Sequence, residues 1–318
     1  MPSTSIDHAF TATQIRGAAS DPTYAGALSF MRRKFSKDVE GADAVVWGIP
    51  FDASVSNRPG ARFGPQAIRR ASVIFDNDPQ YPFHLDLFET LAVIDYGDCL
   101  LDYGRHDRTP AIIEQEASRI ISSDAFLLSL GGDHFVTWPL LCAHAAKHGP
   151  LALIQFDAHQ DTWDDDGARI DHGSFVRRAV RDGVVDPGRS IQIGIRTHAP
   201  DECGLKIVHG YDLEEIQAAE IARMIIERVG NMPAYVTFDI DCLDPAFAPG
   251  TGTPVAGGPS SAKMLSVLRH LGPIKIVGAD VVEVSPSYDH ADITAIAAAS
   301  IAMHYLGLLA EKKRRERR

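Results

Sequence analysis

An aspartate, a histidine and a second aspartate alternate through Phe156-Asp157-Ala158-His159-Gln160-Asp161, directly after the apolar run Leu151-Ala-Leu-Ile-Gln155. All three side chains can ligate a divalent cation. In an extended segment side chains alternate, so Asp157, His159 and Asp161 are expected to project to one face, successive members roughly 6.6 Å apart along the backbone. The pattern returns where Tyr235-Val-Thr-Phe238 ends in Asp239 and Asp241, and where Phe126-Leu-Leu-Ser-Leu130 runs into Gly131-Gly132-Asp133-His134. His134, Asp157, His159, Asp161, Asp239 and Asp241 are more ligands than one ion needs, and shared carboxylates can hold two cations about 3.5–4 Å apart. A lone aspartate at a strand end is usually a cap or turn residue, but a packed core does not tolerate so many carboxylates without cations. The expectation is a dinuclear metal site.

Positioning such a site requires strands that end together. The run 151–156, bounded by Gly149-Pro150, reads as a buried parallel strand, and parallel-sheet enzymes place their chemistry where strands end. Further strands are expected at 43–50, 91–94, 126–130, 190–195, 235–239 and 274–280. Helices are expected from Gly64-Pro65, where proline suits a first turn, over 110–122 and 138–147, from Asp212 to Gly230, and over 292–310. The stretch 292–310 reaches transmembrane length, but Asp292, Thr294, Ser300 and His304 interrupt it and point to a packed helix. The segment Cys242–Pro259 is rich in Pro, Gly and Thr and reads as an irregular wall of the site.

Strands and helices alternate without a Gly/Ser- or Pro-rich linker, so the 318 residues, 45% hydrophobic and 23% charged, read as one α/β domain. Residues 1–22 are expected to form an N-terminal arm and 23–318 the catalytic domain; the polar start, with Asp7 and His8, is no secretory signal. A net charge of −11 argues against a nucleic-acid binder. No membrane association is expected. Cys99, Cys142, Cys203 and Cys242 stand far apart, which fits a reducing cytoplasm better than a disulfide framework.

Gly-Gly-Asp-His (131–134), Phe-Asp-Ala-His-Gln-Asp (156–161) and Phe-Asp-Ile-Asp-Cys-Leu-Asp-Pro (238–245) resemble the three signatures of the ureohydrolase family, which includes arginases and agmatinases. The likeness extends through Asp-His-Gly-Ser (171–174), Pro-Gly-Thr-Gly-Thr-Pro (249–254) and Val-Val-Glu-Val-Ser-Pro (281–286). It implies a single-domain, three-layer α-β-α fold with a mostly parallel central sheet. It also implies two Mn²⁺ ions, one taking His134, Asp157, Asp161 and Asp239, the other Asp157, His159, Asp239 and Asp241, with a bridging hydroxide that attacks a guanidinium carbon. By the same resemblance Glu283 binds the guanidinium, His172 shuttles protons and Asp161 passes one to the leaving amine.

Arginases carry an asparagine where this chain has Trp163, which disfavours arginine and makes Trp163 a candidate substrate contact. Agmatine, giving putrescine and urea, is the expected substrate, with Asp164-Asp165-Asp166 a candidate for its distal ammonium. The alternatives are 4-guanidinobutyrate or 3-guanidinopropionate, whose carboxylate Arg177, Arg178 or Arg196 could serve, a zinc deacetylase, or a metal-binding homologue without activity. Trimers and hexamers are common among ureohydrolases, so a homo-oligomer is expected.

Overall fold

Successive residues of the buried strands divide between two apolar layers: Val45, Leu127 and Leu153 pack on one side, Val46, Leu128 and Ile154 on the other. That is the two-residue alternation of a pleated strand with both faces covered. The computed structural model describes residues 14–17, 22–75, 79–165 and 169–317. In chain order its strands and α-helices are β1 (Lys34–Phe35), β2 (Ala44–Ile49), α1 (Gly64–Ser72), α2 (Leu87–Thr90), β3 (Val93–Asp98), α3 (Thr109–Ile121), β4 (Phe126–Gly131), α4 (Thr137–His148), β5 (Ala152–Phe156), α5 (Phe175–Arg181), β6 (Ile191–Ile195), β7 (Lys206–His209), α6 (Ala218–Val229), β8 (Ala234–Asp239), α7 (Ser261–Arg269), β9 (Ile276–Val282) and α8 (Ile293–Glu316).

The strands form one nine-stranded sheet in the order β1-β3-β2-β4-β9-β8-β5-β6-β7, and every neighbouring pair is parallel. Helices α1, α6, α7 and α8 supply the apolar layer that includes Ile68, Ile225, Leu268 and Leu306; α3, α4 and α5 supply the other, with Ile113, Leu140 and Val176. This is a three-layer α-β-α domain. The long apolar part of α8 is 78% buried against the protein, as the interrupted sequence pattern led one to expect of a core helix.

One helix starts later than its sequence suggests. The turn that closes Glu215 and Ile216 N–H onto the Asp212 carbonyl is not continued, and α6 begins at Ala218 where Glu220 and Ile221 N–H bond to the Gln217 carbonyl. Asp7, His8 and Asp166 lie outside the described residues. Residues 14–17 lie on the chain's own sheet: Val93 N–H donates to the Ile15 carbonyl at 3.2 Å, and the Arg16 guanidinium reaches Asp43 at 3.0 Å.

Candidate metal centre

Four adjacent strands, β4, β9, β8 and β5, deliver the site from their C-terminal ends. His134 opens a 3₁₀ turn capped by Asp133, which accepts from Phe135 N–H at 3.2 Å. Asp241 lies in a second such turn after β8, where Asp239 Oδ1 accepts from Asp241 N–H at 2.8 Å. After β5 the backbone is not extended, contrary to the simple alternation expected for 157–161. Asp157 Oδ1 takes the His159 N–H at 2.6 Å and folds the segment, and Asp161 sits at φ +52°. Curling brings the three side chains closer to one centre than a straight strand could. Glu283, at φ +63°, is fixed by its own N–H on the Gly132 carbonyl at 2.8 Å. Left-handed backbone at bulky non-glycine residues is costly and gathers at functional sites.

The six candidate ligands come together. His134 Nδ1 lies 3.0 Å from Asp157 Oδ2, 3.0 Å from Asp161 Oδ2 and 3.2 Å from Asp239 Oδ2. His159 Nδ1 lies 3.0 Å from Asp241 Oδ2 and 3.5 Å from Asp157 Oδ1. Donor atoms of His134, Asp157 and Asp239 lie within 4.8 Å of one another, as do those of Asp157, His159 and Asp241, so Asp157 belongs to both groups. Ala158 N–H holds Asp241 Oδ1 at 3.1 Å and Gln155 Nε2 holds Asp157 Oδ2 at 2.7 Å, fixing the carboxylates from behind.

A relay of hydroxyls tests whether these residues suit a cation. Asp280, buried in β9, takes the hydroxyls of Thr237, Thr137 and Tyr235 at 2.6, 2.9 and 3.0 Å. The Thr237 hydroxyl therefore accepts from His134 Nε2–H at 2.8 Å, which leaves the Nδ1 lone pair aimed at three carboxylates. That buried Nδ1 has no hydrogen-bond partner. A lone pair facing acceptors is unfavourable until a cation or a proton lies between them, and a mixed carboxylate–imidazole set suits a hard or borderline divalent metal.

Protonation shows the same charge imbalance. Burial together with Asp241 and Asp157 raises the Asp239 carboxyl well above the ordinary range, and burial with Asp157 raises Asp161 to about 6. Burial opposes charging His159, yet Asp241 and Asp157 raise it to about 12, and His134 is raised in the same way. Asp157 moves the other way: burial works against its charge, but the facing imidazoles of His134 and His159 bring its carboxyl below the ordinary range.

Beside the centre, Glu283 Oε1 accepts from His134 N–H at 2.9 Å and meets His172 Nδ1 at 2.8 Å. Glu283 Oε2 is buried and without a partner. Trp163 is half-buried on the rim, its ring centroid 6.5 Å from that of His159. The acidic run is committed elsewhere: Asp165 pairs with Arg178 at 2.8 Å and Asp164 with Arg177 at 3.2 Å. Arg196, suggested above as a carboxylate receptor, bonds instead to the carbonyls of Gly194, Asp241, Cys242, Leu243 and Val255, pinning the wall 242–259.

Sequence reasoning passed over Thr237 and Asp280, although polar residues inside buried parallel strands were a visible signal. It also passed over Ser56, whose N–H and Oγ lie 3.1 and 2.8 Å from His172 Nε2; nothing in the polar loop around it singled it out.

Comparison with known proteins matches residues 42–307 to the arginase family. An agmatinase of Chromobacterium violaceum is 51% identical over 310 residues, covering 96% of each chain. A crystal structure of a hypothetical agmatinase from Burkholderia thailandensis superposes with a TM-score of 0.96 at 50% identity, covering 97% of this chain and 99% of that one. Proclavaminate amidino hydrolase of Streptomyces clavuligerus follows at 39% identity and a TM-score of 0.87, over 92% of this chain and all of that one.

Proposed function

This chain belongs to the arginase family, and from that premise we propose that it is an agmatinase, hydrolysing agmatine to putrescine and urea at a pair of Mn²⁺ ions. The reaction is hydrolysis of a guanidino carbon–nitrogen bond. The observation that carries the substrate reading is Glu283: Oε1 is held by His134 and His172, while the buried Oε2 is left to accept hydrogen bonds from a guanidinium fork. Cationic side chains that could receive a distal carboxylate are already engaged, Arg177 and Arg178 by aspartates and Arg196 by carbonyls. A substrate ending in an ammonium leaves those pairs intact.

His134, Asp157, Asp161 and Asp239 would hold one ion, and Asp157, His159, Asp239 and Asp241 the other. When bound, the ions supply Lewis acidity that makes water a nucleophile near neutral pH. Glu283 orients the guanidinium carbon toward the acid cluster. Asp161, 6% exposed, takes a proton on its carboxylate and returns it to the departing amine nitrogen, and His172 exchanges protons at the mouth. Trp163 borders the path of the methylene chain.

Cys99, Cys142, Cys203 and Cys242 are free thiols, which suits the cytoplasm we assign. Self-association as a trimer or hexamer is favoured by exposed Leu28, Phe63, Leu100 and Tyr103. Urea release by Mn²⁺-loaded protein from agmatine, 4-guanidinobutyrate, 3-guanidinopropionate and arginine at equal concentration tests the reading. Agmatine should be turned over fastest; preference for a guanidino acid overturns the substrate assignment.

A further inference from the structure

The segment between β2 and α1 crosses the mouth of the site and is tied down on both sides. Ser54 N–H donates to Asp133 Oδ2 at 3.0 Å, and Asn57 Nδ2 donates to the Gly252 carbonyl at 2.9 Å. Gly252 also lines Glu283, since a Cβ there would meet Oε2 at 3.3 Å. Between these anchors stands exposed Ser56, and below it His172, whose side chain is only 11% exposed.

His172 Nε2 accepts from Ser56 N–H at 3.1 Å and lies 2.8 Å from Ser56 Oγ, while Nδ1 lies 2.8 Å from Glu283 Oε1. A peptide N–H can only donate, so the nitrogen it faces carries a lone pair, and the ring proton is on Nδ1, given to Glu283. Burial opposes a charged ring, but Glu283, Asp161 and Asp133 outweigh it and raise the imidazole to about 9. The Ser56 N–H weighs against that charge, because a protonated Nε2 would set two hydrogens against each other.

We propose that Ser56 is a positioning residue: its N–H and hydroxyl hold the Nε2 lone pair of His172 at the mouth and fix the ring as the neutral Nδ1–H tautomer, with that hydrogen on Glu283 Oε1. This rests on the agmatinase reading for its consequence in catalysis, but not for the tautomer itself. Glu283 thereby remains an anion with Oε2 free for the guanidinium, and the ring cannot turn its lone pair inward.

The test compares Ser56→Ala and Ser56→Thr in the Mn²⁺-loaded protein with agmatine. Loss of the hydroxyl should lower kcat about fivefold, the worth of one neutral hydrogen bond, with KM changed less than about twofold; threonine should restore kcat. In a His172→Asn background Ser56→Ala should have no further effect. A change in KM alone, or the same fivefold loss without His172, overturns the proposal. Independently of turnover, ¹⁵N spectra of histidine-labelled protein loaded with diamagnetic Mg²⁺ should show His172 protonated at Nδ1 only, in the parent and in Ser56→Ala alike, because the peptide N–H that selects this tautomer remains. An imidazolium or an Nε2–H ring in the parent overturns it. No urea from agmatine sinks the substrate reading, and the tautomer spectra then decide the role of Ser56 by themselves.

Discussion

Two acid clusters lie on strands of this sheet, one on β3 and one at the ends of β5 and β8, and they are neutralised in opposite ways. At β3, Asp95 is fully buried but Arg69 of α1 grips both its oxygens at 2.8 and 2.9 Å and reaches Asp98 at 2.6 Å. Phe30 and Gly97 N–H add further donors to Asp95. At β4, β5 and β8 the four aspartates of the metal centre have two histidines as their ion-pair partners among the described residues, and no arginine or lysine. A cluster that carries its own cation is architecture; one that does not is a receptor for a cation from outside. The burial of a carboxylate alone would not separate the two cases.

Substitutions should divide along that line. The largest effect is expected from Asp157→Asn, which removes the carboxylate common to both ligand groups. Turnover should fall by about a thousandfold or more, equivalent to several kcal/mol, and metal content should drop by elemental analysis. Arg69→Met should behave in reverse: leaving Asp95 buried without its cation costs about 3–5 kcal/mol of stability in chemical denaturation, with the metal content of the folded fraction unchanged. Loss of metal on Arg69→Met would break the comparison.

A smaller effect is expected of Thr237→Val, which cuts the link from His134 to Asp280. Metal affinity by competitive chelation should weaken about 10–100-fold, and the metal-free protein should lose about 1–3 kcal/mol in chemical denaturation, because His134 Nε2 and Asp280 Oδ1 are left buried without that partner. Acidity gives the finest resolution. His159, raised to about 12, and His134, also raised, must lose protons before cations bind, so apparent affinity should fall about tenfold for each pH unit of acidification and each proton displaced. For stability of the metal-free protein the sign is opposite. A raised folded-state pKa contributes stability that is complete below the unfolded histidine value near 6.5 and is lost as pH rises toward 12. Metal-free protein should therefore melt higher at pH 6 than at pH 9, and metal-loaded protein the other way round. Parallel trends would refute the assignment of those imidazoles.

That these side chains gather at one place was legible because strand ends carry chemistry in parallel sheets, and because Asp-x-Asp and Asp-x-His-x-Asp directly follow apolar runs. What escaped depended on contacts that no spacing encodes. The Arg178–Asp165 pair and the carbonyl cradle of Arg196 withdraw residues that had looked available to substrate, and only the folded loops reveal it. Left-handed Asp161 breaks the strand periodicity the sequence suggested, since one residue at positive φ redirects all that follow. Two-residue β1 and four-residue β7 were too short to leave a pattern.

β9 is the last strand in the chain, yet it stands between β4 and β8 near the middle of the sheet. During synthesis the earlier strands can form two partial sheets, β1-β3-β2-β4 and β8-β5-β6-β7, but their shared seam stays open until Ile276–Val282 leaves the ribosome. His134 belongs to the first half and the aspartates of β5 and β8 to the second. A nascent chain therefore holds the parts of a metal trap without a working one, and arrest of translation before Ile276 should yield a chain that fails to retain Mn²⁺ on gel filtration, whereas arrest after α8 should not.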